Sequence, residues 1–306
     1  MSAPIRAVRH SKNRKSISAS KGASALTFVN LYGRLTIAKT ACALDGTPAL
    51  GLLSGMPAVA ALYRYPVKGL SAEPLREAAL TAGGTIPFDR AYAIENGPSG
   101  FDPGAPKHFP KIAFLMLMRN ERLAELRTHF DDGTRTLTIR RGDAVVADGC
   151  LDTEAGRRAI ESFFDRFAAE DLRGPAKVLA AAGHSFSDTS SKVLSLINLA
   201  TVRTIAEKIG APVHPLRFRG NVYVEGLPPW DEFSWVGRRV AVADIIFEVT
   251  KRIDRCAATN VDPETAARDL TIPLSLLEAY GHADCGIYLR VVAGGRLSVG
   301  DTLKPT

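Results

Sequence analysis

Apolar and polar residues alternate with a period of two along much of this chain, which predicts short strands set apart by turns. Residues 59–67 read as a first strand ending at Pro66, and residues 78–81, 91–95, 112–118 and 136–140 as further β stretches. Gly83-Gly84 and Asp131-Asp132-Gly133 punctuate them, and residues 98–110, rich in Gly and Pro, predict an exposed loop. The period then changes. Asp152 and Thr153 can cap a helix in which Ala155, Ala159, Ile160, Phe163, Phe164 and Phe167 recur at helical spacing. Such a stripe belongs to a core, and Gly174-Pro175 predicts the helix end. Beyond it, residues 192–197 read as a strand, and Asn198 can cap a helix through Val202, Ile205 and Ile209 that Gly210 stops. Residues 240–249 read as one buried strand, and residues 273–280 as a short helix before Gly281. Residues 287–292 and 296–299, joined by Ala293-Gly294-Gly295, predict a closing hairpin.

The pattern predicts an α+β chain, mainly β, in three stretches. Residues 1–55 carry Arg6, Arg9, Lys12, Arg14, Lys15 and Lys21 among Ser and Ala, with no acid before Asp45. They read as a disordered or non-native leader with translation starting at Met56, or alternatively as an organelle-targeting peptide. Residues 57–174 form a first β-rich domain with a linking helix, and residues 175–306 form a second domain.

Composition narrows the function classes. Of 306 residues, 46% are hydrophobic and 23% charged, ordinary values for a water-exposed globular chain. Cys42, Cys150, Cys256 and Cys285 stand far apart with no C-x-x-C pair. That spacing argues against a disulfide scaffold, a zinc ribbon or an iron–sulfur site, and for a reducing, cytoplasmic setting. No apolar run reaches bilayer length, so no membrane partner is expected. The net charge of +7 gathers largely in the first forty residues, and without a zinc finger, an RRM signature or a continuous basic helix no nucleic-acid partner is expected.

Candidate chemistry centres on residues 250–263, T-K-R-I-D-R-C-A-A-T-N-V-D-P. One thiol, Cys256, follows a strand on a segment bearing Lys251, Arg252 and Arg255. Positive charge favours the thiolate, the form that attacks or ligates metal, although an ordinary buried cysteine fits the same residues. Asp262 suits a turn before it suits a proton donor, and His184, His214 and His282 show no metal-ligand spacing.

R-C-A-A-T-N-V-D-P, the Y-P-V-K-G-L-S run at residues 65–71 and the closing G-G-R-L-S-V-G-D resemble the MOSC family, named after the C-terminal domain of molybdenum cofactor sulfurase. The resemblance runs from about Pro57 to the C-terminus. It implies a MOSC-type β-barrel domain preceded by a smaller N-terminal β-rich domain with linking helices, and a chain similar to the amidoxime-reducing component. It also implies the molybdenum cofactor (molybdopterin), with Cys256 as the protein ligand to metal and as a catalytic residue beside Arg255 and Asp262. Lys68, Gly69, Arg90, Asp188, Thr189, Ser190, Arg219, Asn221 and Thr259 are the matching candidates for holding the cofactor. Gly69 stands where the amidoxime-reducing component has serine, and Gly220 where it has proline. Lys111 is a further candidate charge on the substrate side. The implied activity is reduction of a small, N-hydroxylated substrate with electrons from a separate donor protein. The alternatives are a sulfur carrier using a Cys256 persulfide and a non-enzymatic cofactor-binding protein.

Overall fold

A computed structural model describes residues 56–305, so the leader and Cys42 lie outside the described residues. Strands β1 (Ala58–Arg64), β2 (Glu73–Leu75), β3 (Glu77–Leu80) and β4 (Tyr92–Glu95) come first. Strands β5 (Leu126–Asp131), β6 (Thr136–Arg141) and β7 (Ala144–Cys150) then precede helix α1 (Glu154–Phe167). Strands β8 (Lys177–Ala180) and β9 (Leu194–Asn198) lead into α2 (Leu199–Ile209), β10 (Val222–Glu225), β11 (Arg239–Val242) and β12 (Ile245–Asp254). Helix α3 (Ile272–Tyr280) is followed by β13 (Asp284–Ala293), β14 (Gly295–Ser298) and β15 (Leu303–Pro305). The architecture is α+β and mainly β, as the periodicity predicts.

Eight strands, in the order β15-β11-β12-β13-β9-β10-β1-β2, make one sheet curled into a half-barrel. All neighbours run antiparallel except β9 and β10. β1 enters from far upstream, pairing Ala58 with Glu225 and Leu62 with Val222. Val59, Leu62, Leu196, Val224, Phe247 and Ile287 line the sheet's core face. A second core lies between α1, through Ile160, Phe163 and Phe164, and the three-stranded sheet β5-β6-β7, through Phe130, Leu137 and Ile139. Here the aromatic stripe packs as helical spacing predicts.

Local signals that satisfy themselves match closely. Thr153 accepts the Gly156 N–H at the start of α1, and Asn198 accepts that of Ala200 at the start of α2. Gly210 and Gly281 end α2 and α3 in the left-handed region.

Four expectations fail where tertiary contacts decide. Residues 240–249 are two strands, because Ala243 at φ +49° turns the chain between β11 and β12. Residues 112–118 form no strand. A 3-10 turn at Lys111–Ala113 opens them, and one isolated bridge joins Phe114 to Glu95. Helix α1 stops at Phe167 instead of reaching Gly174, and the chain then crosses to the loop after β4. There Arg173 donates its backbone N–H to Asn96 Oδ1 (3.0 Å) and its guanidinium to the Asn96 and Ile112 carbonyls (both 2.9 Å). The closing hairpin is absent as well: β14 pairs with β3, while β13 pairs with β12 and β9. Gly294 permits the departure, since a Cβ there would come within 2.4 Å of the Leu80 carbonyl oxygen.

Gly286 tests this close packing. It sits in β13 at φ +79°, and a Cβ would approach the Leu196 carbonyl oxygen to 2.3 Å. Gly286→Ala should destabilise the protein by about 2–4 kcal/mol through backbone strain and a forced strand shift. Urea unfolding measures the loss, and an unchanged midpoint would show that β9 and β13 separate freely.

Candidate functional site

The end of β12 does not keep its alternation. Register shifts fall between Val249 and Lys251 and between Arg252 and Asp254, leaving Thr250, Lys251 and Arg252 all exposed. Such bulges re-aim side chains at functional edges. Here they bring Lys251, Arg252 and Asp254 to the wall of a cleft of about 490 Å³. Cys256 lies just past the strand and precedes the 3-10 turn Ala257–Asn260. Its carbonyl accepts the Thr259 N–H at 3.1 Å and the Thr259 hydroxyl at 3.0 Å. The thiol is half-buried and makes no hydrogen bond among the described residues.

Eight cationic side chains line the cleft, namely Lys68, Arg90, Lys111, Arg217, Arg219, Lys251, Arg252 and Arg255, against four acids, Asp89, Asp188, Asp254 and Asp284. Most of the cations are held by the protein. The Arg90 and Arg219 guanidiniums lie 4.5 Å and 4.3 Å from the centre of the Tyr65 ring. Arg90 also donates to the Arg219 carbonyl at 3.0 Å and pairs with Asp89, while Arg219 donates to the Leu70 carbonyl at 2.8 Å. Burial pushes the Arg219 guanidinium down from its ordinary value, and the electron-rich Tyr65 ring partly offsets close approach of the two cations. Lys68 donates to the Phe186 carbonyl at 2.8 Å and pairs with Asp188. Burial lowers the Lys68 ammonium against the pull of Asp188. Burial would raise the Asp188 carboxyl, but Lys68, then Lys111 and Arg90, outweigh it and hold it below the usual range.

Three arginines fix the turn that carries the thiol. Arg255 donates to the Cys285 carbonyl at 2.7 Å and the Phe218 carbonyl at 2.8 Å, which ties the residue before Cys256 to β13. Arg217, almost wholly buried, donates to the Asn260 carbonyl at 3.0 Å and pairs with Asp262 at 2.7 Å and Asp269 at 2.8 Å. From outside the cleft wall, Arg268 links the Ala257 carbonyl (3.0 Å) to those of Leu117 and Met118 (both 3.2 Å) and to Glu121 (2.9 Å).

The cleft gathers Cys256, Arg255, Lys68, Gly69, Arg90, Asp188, Thr189, Arg219, Asn221 and Thr259 from both halves of the sequence. It does not include Asp262 or Ser190. Asp262 accepts the Glu264 and Thr265 amides and binds Arg217, so it is a turn former and not a proton donor to the cleft. Ser190 is exposed beyond the rim, on a bend shaped by Ser187 donating to the Thr189 carbonyl. Asn221 lines the cleft, yet its amide is engaged: Oδ1 accepts from Ser195, and Nδ2 donates to the Tyr63 carbonyl at 3.2 Å. His184 packs on Phe101 and Phe186 outside the lining, and Cys285 is fully buried, its thiol pushed up to about 12 by burial. Gly69 has φ +84°, and a Cβ there would lie 2.9 Å from the Leu115 carbonyl oxygen, so the backbone excludes a serine at this position. Gly220 donates its N–H to the Tyr223 hydroxyl at 2.9 Å, a bond that proline cannot make. Tyr65, Asp89, Arg217 and Tyr288 were not evident as site residues. Tyr65 lay within the Y-P-V-K run, and Arg217 opened the R-F-R-G-N run, but nothing in the spacing marked either.

The MOSC domain model matches residues 182–304, and the MOSC N-terminal beta barrel domain model matches residues 56–176. Molybdenum cofactor sulfurase of Caenorhabditis briggsae is 26% identical over 254 residues, 79% of this chain and 34% of that protein. Mitochondrial amidoxime-reducing component 1 of Homo sapiens is 31% identical over 101 residues, 33% of this chain and 28% of that protein. The chain spans about a third of the length of these curated relatives. Among solved structures, the YUAD protein from Bacillus subtilis aligns over 82% of this chain and 96% of that one, at 16% identity and a TM-score of 0.39.

The Arg217 clamp yields two measurable consequences. Arg217→Ala leaves Asp262 without its cation, and because Asp269 is half-exposed the cost should be about 2–4 kcal/mol, read by thermal unfolding. Burial would raise the Asp262 carboxyl, but the Thr265 and Glu264 amides and Arg217 hold it below the usual range. Its contribution is therefore present above the ordinary carboxylate value and lost as pH falls through the lowered one. Asp262→Asn should be less stable than wild type at neutral pH, and the gap should close on acidification. A gap independent of pH would show that the charge plays no part.

Proposed function

Because this chain belongs to the MOSC domain family, with a MOSC N-terminal beta barrel domain ahead of the MOSC domain, we propose that the cleft binds the molybdenum cofactor and that the protein reduces a small N-hydroxylated substrate. The observation that carries this reading is one half-buried thiol facing a cationic cleft built from both segments. Among the described residues, no three His, Cys, Asp or Glu side chains gather as a metal site. A bare ion would find a single soft ligand here, whereas a metal already held by an anionic organic group needs only one. The buried Nε–H of Arg217, a residue lining the cleft, has no partner among the described residues, which leaves a donor for a bound group.

In this reading Cys256 Sγ is the protein's ligand to the metal. Lys68, Arg90 and Arg219, from the segments before and after α1, offer charge to the phosphate, and Thr189 and the Gly69 backbone offer small polar contacts. Asn221 acts by holding the strands, since its amide is already engaged. Arg255 fixes the residue before the thiol, so the sulfur's direction is set by backbone. The bound cofactor supplies the two-electron couple. Overall, the N–O bond of the substrate breaks, two electrons and two protons are taken up, and the oxygen leaves as water. The electrons come from a separate redox protein.

A second reading, persulfide carriage by Cys256 in cofactor maturation, draws support from the half-exposed sulfur and from the sulfurase relatives. One experiment separates the two. Protein purified from a cofactor-competent host should contain stoichiometric molybdenum and pterin. Cys256→Ser should keep much of the pterin, change the metal's electronic spectrum and abolish reduction of hydroxylamines. Metal-free wild-type protein bearing a persulfide on Cys256 would replace the reductase reading with the carrier. Arg90→Ala should lower pterin retention by roughly tenfold or more, the scale of one charge-assisted contact, without unfolding the chain.

A further inference from the structure

Charged groups in the cleft fall into two sets. Lys68, Arg90, Arg217, Arg219 and Arg255 are each bound to carboxylates or carbonyls of the protein, and Arg252 pairs with Asp284 at 4.0 Å. Lys111 and Lys251 line the same cleft, yet neither ammonium makes a hydrogen bond or an ion pair among the described residues. They come from opposite sides. Lys111 opens the 3-10 turn Lys111–Ala113 and lies close enough to Asp188 to draw its carboxyl down. Lys251 is thrown into the cleft by the bulge of β12 and stands 5.8 Å from the centre of the Tyr288 ring. Tyr288 also lines the cleft, its hydroxyl has no hydrogen-bond partner among the described residues, and burial raises the phenol above its ordinary value. Lys251 and Tyr288 are register partners across β12 and β13, and β12 ends two residues before Cys256.

Unpaired ammoniums in a cleft with an excess of positive charge attract an anion, and a free hydroxyl adds a directed donor. We infer that Lys111, Lys251 and the Tyr288 hydroxyl form a substrate-side subsite for an oxyanion, so that the compound acted on carries a carboxylate. This deepens the proposed reduction and rests on it for the word substrate, but the subsite itself is a property of these three side chains. Bulge geometry favours it, because β12 breaks its alternation at Lys251, a position that would otherwise follow Val249 into the core.

The test uses holoprotein from a cofactor-competent host, with benzoate and benzamide as inert probes titrated by calorimetry. Benzoate should bind at least about tenfold more tightly than benzamide, equivalent to one charge-assisted contact, and the preference should fall as salt rises. Lys111→Ala/Lys251→Ala should erase the preference, with melting temperature and pterin content as in wild type. Lys251→Glu should invert it, and Tyr288→Phe should weaken benzoate binding several-fold. In turnover, 4-carboxyphenylhydroxylamine should show a lower KM than phenylhydroxylamine, and that advantage should vanish in the double variant. Equal binding of the two probes to wild type would overturn the subsite. So would loss of pterin from the double variant, which would assign the lysines to the cofactor. If wild-type protein lacks molybdenum and pterin but keeps lysine-dependent benzoate binding, the reductase reading falls and the oxyanion site stands.

Discussion

The join between β1 and the parallel pair β9-β10 is the constraint on which the cleft depends, and Asn221 makes it. Its backbone N–H donates to the Ser195 carbonyl at 2.9 Å, and its carbonyl accepts the Tyr63 N–H at 2.8 Å. Its side chain repeats the bridge, accepting from the Ser195 hydroxyl at 3.0 Å and donating to the Tyr63 carbonyl at 3.2 Å. A fully satisfied buried network of this kind rigidifies more than the same bonds in water would. Within five residues beyond Tyr63 come Tyr65 and Lys68, and two residues before Asn221 stands Arg219. Fixing one amide therefore sets the spacing of cationic groups drawn from both ends of the sequence.

The cleft also needs a reason not to fly apart. Placing several cations in a partly dry space is unfavourable unless each is held. Here carbonyl oxygens do much of the holding: Phe186 for Lys68, Leu70 for Arg219, Cys285 and Phe218 for Arg255. Neutral acceptors orient a guanidinium without cancelling its charge. The cleft thus stays electropositive while its walls remain ordered, and the thiol turn inherits that order through Arg255, Arg217 and Arg268.

What was legible in the sequence was local chemistry. Thr153 and Asn198 as caps, Gly210 and Gly281 as stops and the α1 aromatic stripe are set by neighbours a few residues away, so composition reveals them. The residues flanking Cys256 were also visible, because charge beside a thiol is a short-range feature, and the family motifs pointed to both sides of the cleft. Failures share a different cause. Gly294 reads as a hairpin turn because the approach of the Leu80 carbonyl, far away in sequence, leaves no trace in it. Asp262 reads as a turn former from its neighbours, whereas its pairing with Arg217, distant along the chain, leaves no trace in the sequence. Tyr65 was hidden for the same reason, as two guanidiniums meet over its ring only after folding.

The position of β1 has a consequence for synthesis of the chain. Its partner β10 pairs Val59 with Val224, so a strand made early stays without that neighbour until most of the protein has been translated. Long-range pairings of this kind close slowly, and they leave an apolar strand open to wrong partners in the meantime. While the ribosome works, β2 and the side chains of Ala78, Leu80 and Ile86 are the early-made neighbours that can shelter it. The pairing of β1 with β10 is correspondingly a late event, and the cleft exists only after it.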